Sequence, residues 1–112
     1  MKGTNLGEFE ELILLAIASL GEDAYSVMIT DEIDRVTGRK AKLGVVHSVL
    51  NRLEEKGFIQ SRLGEPTKER GGRRKRFFEV SHAGKIALVK SKDQRDQFWS
   101  SIPEIVFQGI KA

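Results

Sequence analysis

The chain has 112 residues, enough for one domain with a modest core and an appended helix. It contains no cysteine, which excludes disulfides, thiolate metal sites and cysteine nucleophiles together. Its formal net charge is +3, and its longest apolar block, Leu12 to Ala18, is too short to span a bilayer, so a soluble, cytoplasmic protein with no membrane partner is expected.

After a short polar arm, residues 1–5, apolar positions at Leu6, Phe9, Ile13, Ala16, Ile17 and Leu20 predict a first helix over 6–20, with Gly21 as its stop. Leu12, Leu14 and Leu15 widen its apolar surface beyond one stripe. Such a helix has to be covered on more than one side, by this domain's core and by a second subunit. A second helix is expected from Ser26, as N-cap, to Thr37, with Ile29, Ile33 and Val36 as its buried stripe, Tyr25 leading in and Gly38 as the stop. Arg39, Lys40 and Lys42 form a basic linker. The third helix is predicted over 44–56, burying Val46, Val49, Leu50 and Leu53 and ending at Gly57.

The opposite face of that third helix carries His47, Ser48, Asn51, Arg52 and Glu55. Asparagine can make two hydrogen bonds to an adenine edge and arginine two to a guanine edge. A solvated polar face has the same composition, but here a basic linker precedes it and a basic hairpin follows. Residues 58–63 read as a strand, 64–72 as a loop holding Pro66 and the Gly71-Gly72 tip, and 74–80 as the return strand with Phe78 and Val80 on its buried face. Within residues 68–76, Lys68, Arg70, Arg73, Arg74, Lys75 and Arg76 face a single acid, Glu69, so the positive charge is concentrated at the hairpin.

Three helices followed by a hairpin give a mainly α fold with a small β-hairpin, the plan of a winged helix-turn-helix. Its recognition helix would span 44–56 and its wing 64–75, together forming a DNA-binding domain over residues 1–80. The remainder, 81–112, is expected to be a dimerisation segment: a helix from the Ser81 cap to about Ser100, then a kink or short helix started by a Ser101–Glu104 capping box. Its first apolar positions are Ala83, Ile86, Ala87 and Val89, and Phe98, Trp99 and Ile102 lie near its far end. No enzyme is expected: His47 and His82 lie on different elements, without a carboxylate or nucleophile arranged beside either. Asp31, Glu32 and Asp34 read as a solvated helix face, so no metal and no cofactor are expected.

Three pieces in order resemble the PadR family of bacterial transcriptional regulators across roughly residues 8–90. They are the leading apolar helix with Gly21 and Tyr25-Ser26, the stretch Gly44-Val-Val-His-Ser-Val-Leu-Asn-Arg-Leu-Glu-Glu-Lys-Gly57, and the stretch Gly71-Gly-Arg-Arg-Lys-Arg-Phe-Phe-Glu-Val-Ser-His-Ala-Gly84. The chain departs from the family pattern at His47, where tyrosine is common, and at Ser48, often proline. The resemblance implies a homodimeric repressor on inverted-repeat double-stranded DNA.

The DNA-binding set is then Tyr25, Ser26, Lys40, Lys42, His47, Ser48, Asn51, Arg52, Lys68, Arg70, Arg73, Arg74 and Lys75. The dimer interface would draw on Phe9, Leu12, Leu15, Val89, Phe98, Trp99, Ile102 and Val106. Some relatives hold planar aromatic molecules at the dimer centre with a tryptophan of the last helix. Two roles are therefore open to Trp99: plain interface packing, or part of a pocket for a small aromatic effector. The competing reading of the whole chain is a winged-helix protein-interaction module whose basic wing grips an acidic partner.

Overall fold

The computed structural model describes residues 5–66 and 74–110. The elements run α1 (Glu8–Leu20), a 3₁₀ turn (Gly21–Asp23), α2 (Ser26–Thr37), α3 (Leu43–Glu55), β1 (Ile59–Pro66), β2 (Arg74–Val80), α4 (His82–Ser101) and a last 3₁₀ turn (Glu104–Phe107). The mainly α architecture with one hairpin is the expected one. The wing tip, with Lys68, Arg70, Gly71, Gly72 and Arg73, lies outside the described residues. None of the described helices is long and apolar enough to cross a membrane.

Ile13, Leu14, Ile17, Ile29, Val46, Leu50 and Leu53 form the fully buried centre, where α1, α2 and α3 meet. Phe58, Ile59, Phe78, Val80 and Ala87 close the core from the hairpin and α4. All four apolar positions expected of α3 are buried. On α2 the core ends at Ile33. Val36, expected in the buried stripe, is 64 % exposed, because the last turn of α2 runs past the packed centre. Gly21, Gly38 and Gly57 follow the three helices with φ of 60, 72 and 81°, as stops in the region that glycine enters freely.

Several boundaries differ from the expected ones. α1 begins at Glu8 rather than Leu6, and the Glu10 carboxylate reaches back to accept the Gly7 N–H at 2.8 Å. Ser26 is not the cap of α2 but its first residue; Tyr25 is the cap, held extended by a bridge to Phe77. Strand β1 starts and ends later than 58–63. The Phe58 N–H closes the end of α3 on the Leu53 carbonyl, and the Phe58 carbonyl accepts the Ser81 N–H, so Phe58 is the corner between elements. Pairing continues past an irregularity after Leu63 to Pro66 opposite Arg74, which places Pro66 in the strand's last pair rather than in the loop.

Ser81 caps α4 as expected: its Oγ accepts the Gly84 N–H at 3.1 Å and donates to the Gly57 carbonyl at 2.6 Å. Gly84 lies so close to the Phe58 carbonyl that a Cβ there would stand 2.2 Å from the oxygen. Past that seat, the helix leaves the body. Of the helix's first apolar positions Ala87 is buried, while Ala83, Ile86 and Val89 are exposed. The Ser101–Glu104 capping box does not form, because Ser101 ends α4 and gives its hydroxyl to the Gln97 carbonyl at 2.8 Å. The expected short element after it is a single 3₁₀ turn with Pro103 at its cap.

Candidate nucleic-acid interface

The start of α2 and the root of the wing are one unit. The Phe78 N–H donates to the Ala24 carbonyl at 2.8 Å, and Tyr25 bridges Phe77, so residues 24 and 25 act as a short third edge against β2. The Tyr25 ring meets Phe77 edge-on, with centroids 5.6 Å apart at 76°. Lys75 Nζ sits 4.2 Å above the centre of the Tyr25 ring, and the Arg62 guanidinium 4.9 Å from that of Phe77. Phe77, half-buried, therefore fixes the wing to α2 instead of joining the core.

These contacts place β2 beside α3 across an open groove. Its walls include Tyr25, Ser26, Val27, Leu43, His47, Asn51, Arg74, Lys75 and Arg76. Six of the residues expected from the sequence thus converge: Tyr25 and Ser26 from the cap and first residue of α2, His47 and Asn51 from α3, Arg74 and Lys75 from the wing. One wall offers amide, imidazole and hydroxyl groups, the other fixed positive charge. Ser48, Lys40 and Lys42 are exposed but do not line this groove. Val27, Leu43 and Arg76 were not expected in it; Arg76 belongs to the basic run, whereas Val27 and Leu43 carry no sequence signal of their own.

Arg52 lies on the flank of α3 that faces α1. Its Nε donates to Glu10 Oε2 at 3.0 Å, and Lys56 Nζ reaches the same oxygen at 2.7 Å. Burial pushes the Glu10 carboxyl up, but hydrogen bonds from Lys56, the Gly7 N–H and Arg52 outweigh it and hold the group at about 2. The neighbouring Glu11 accepts Arg95 Nη2 at 2.8 Å and Ser91 Oγ at 2.9 Å, both from α4. Burial raises this carboxyl too, and the bonds from Arg95 and Ser91 bring it below its ordinary value. Neither acid was singled out from the sequence. The available signal was an acidic pair set between Phe9 and Leu12 in a helix apolar on more than one side.

Of the residues expected at a subunit interface, Phe98 and Trp99 are 77 % and 63 % exposed, and Leu15, Val89 and Val106 are exposed as well. Phe9, Leu12 and Ile102 are partly covered, Phe9 by the Arg39 guanidinium 4.6 Å over its ring. Trp99 stacks on Phe107 with centroids 5.5 Å apart.

Two consecutive helices, a paired wing and a short third edge locking them together define a winged helix-turn-helix. The chain belongs to the transcriptional regulator PadR-like family, whose model matches residues 14–90. It is accordingly a DNA-binding transcriptional regulator. Its fold is similar to that of a PadR-like transcriptional regulator from Bacillus cereus, at 17 % identity, TM-score 0.71 and coverage of 91 % of this chain and 93 % of that one. A PadR family regulator from Clostridium difficile matches at 22 % identity and TM-score 0.60, over 82 % of this chain and 91 % of its own. The Aeropyrum pernix ORC1 protein in complex with DNA matches at 21 % identity and TM-score 0.62, over 84 % of this chain and 26 % of its own. Among curated proteins no match is found.

Proposed function

We propose that the protein is a dimeric repressor that binds an inverted-repeat operator in the cytoplasm. Labour is divided between residues 1–80, which meet DNA, and residues 81–112, which join two copies. The observation that supports this reading most is the groove in which Tyr25, Ser26, His47 and Asn51 face Arg74 and Lys75. In this reading His47, Ser48 and Asn51 meet base edges, and Arg52 contributes the guanidinium nitrogens that Glu10 leaves free. The lysines and arginines of the linker and wing, Lys40, Lys42, Lys68, Arg70, Arg73, Arg74 and Lys75, hold phosphates and set the register. Two copies would meet half-sites about one helical turn, ~34 Å, apart.

The exposed apolar surface of α4 supports the second copy. The stack of Trp99 on Phe107 fills one face of the indole with a side chain of the same chain, which favours interface packing over a ligand pocket there.

Selection of bound duplexes from a random pool tests the reading, with a palindromic consensus as the expected result. On the selected duplex, Arg74→Ala should weaken all sequences and reduce the salt slope by about one unit. Asn51→Ala should instead relax the preference at one base pair, by ~1–3 kcal/mol. A pool that yields no consensus, or an Asn51→Ala variant that weakens every sequence equally, would overturn the assignment.

A further inference from the structure

Glu10 and Glu11 are consecutive on α1, and successive residues of a helix point about 100° apart, so one turn of α1 reaches two neighbours. Glu10, its side chain 6 % exposed, takes Arg52 and Lys56 of α3. Glu11, 12 % exposed, takes Arg95 and Ser91 of α4. Charge-assisted bonds on a largely desolvated carboxylate are short, directional and stronger than neutral ones. Apart from this pair, α4 is seated on the body at its beginning, where Gly84 and Ala87 are buried and Leu88 packs against the core. Beyond Leu88, the side-chain hydrogen bonds from α4 to other elements among the described residues both end on Glu11.

We propose that Glu11 is a positioning residue which, with Glu10, locks the angle between α4 and α3 and thereby sets the half-site spacing that the dimer accepts. This rests on the reading that α3 enters DNA and α4 joins two copies. Trp99 lies twelve residues beyond Ala87. That is about 18 Å of helix, so a swing of ~10° at the seat moves the far end by about 3 Å. One base pair advances a half-site by ~3.4 Å and turns it by about 34°. A loose joint would therefore meet the ~3.4 Å rise of one base pair and part of its ~34° turn, and a clamped one would meet neither. The clamp is a determinant of specificity that touches no base.

The test uses full-length protein and a duplex selected by the wild type, remade with one or two base pairs inserted or removed between the half-sites. Anisotropy titrations at one salt concentration compare wild type, Glu11→Gln and Arg95→Met, with sedimentation reporting the oligomeric state. The wild type should lose about tenfold or more in affinity on leaving its own spacing. The two variants should bind the original duplex more weakly and vary by only about threefold across the series. Arg95 is largely exposed, so Arg95→Met decides the matter should Glu11→Gln fail to fold. A merely structural role would weaken every spacing by one factor. That result in a dimeric variant overturns the inference alone, as does a wild-type profile that is already flat. A monomeric wild type with a single half-site consensus overturns the dimer reading, and the inference with it.

Discussion

Glu10 is a buried acid that three donors keep ionised, so what it adds to stability has a defined pH window. Its pKa falls from the ordinary 4.5 to about 2 on folding, so the stabilisation is complete above 4.5 and is lost as pH falls towards 2. With allowance for screening around half-exposed Arg52, the contribution near pH 7 is about 1–3 kcal/mol. Glu10→Gln should lose that amount in urea denaturation at neutral pH, and less than half of it at about pH 3. An equal loss at both values would assign the effect to packing rather than charge. Which face of α3 each residue takes was legible in the sequence, because helical period alone separates exposed His47 and Asn51 from buried Val46 and Leu50. The Glu10 and Glu11 pairs were not. Their partners lie 42 and 84 residues away, and no local pattern says which basic side chains will meet a carboxylate.

The elements follow their local signals closely wherever the signal is steric. Glycines stop three helices and Ser81 starts the fourth, while α3 buries the four residues its period names. Where several partners compete for one group, the sequence was a poorer guide. Ser26 lost the cap position to Tyr25 because the wing pins residue 25 in extended form. The expected box at Ser101 lost its hydroxyl to the helix it ends.

Gly84 is the clearest case of tertiary structure overriding propensity. Alanine in a helix interior normally gains about 0.5–1 kcal/mol over glycine. Here the added Cβ would stand 2.2 Å from the Phe58 carbonyl oxygen and 2.8 Å from a methyl of Val80, and the backbone atom cannot move aside cheaply. Gly84→Ala should therefore destabilise the protein by about 1–3 kcal/mol, read as a lower urea midpoint. An unchanged or higher midpoint would mean that α4 is not seated on Phe58.

At the scale of the molecule, the shape is what the proposed second copy would explain. The radius of gyration is 16.7 Å and the longest dimension 58 Å. A compact domain of this length would have a radius near ~13 Å. The excess comes with the outer half of α4, where every residue from Lys92 to Ser101 is exposed and Phe98, Trp99, Ile105, Val106, Phe107 and Ile110 lie uncovered. Large aromatics offer about 150–250 Å² each when covered. Doubled across a two-fold axis and joined by the aliphatic positions, Phe98 and Trp99 approach the ~1,200 Å² of the smallest stable interfaces. A second copy is the occupant that adds no new surface requirement, since a two-fold contact uses the same patch twice. Phe98→Glu would set two carboxylates against each other inside that patch without touching the core of the domain. The expected outcome is a dimer dissociation constant raised by about tenfold or more in sedimentation equilibrium, with the thermal midpoint of the monomer unchanged. Affinity for a duplex with two half-sites should fall with it, while binding to a single half-site is retained. Should Phe98→Glu remain as dimeric as the wild type, the apolar end of α4 would not be the subunit contact.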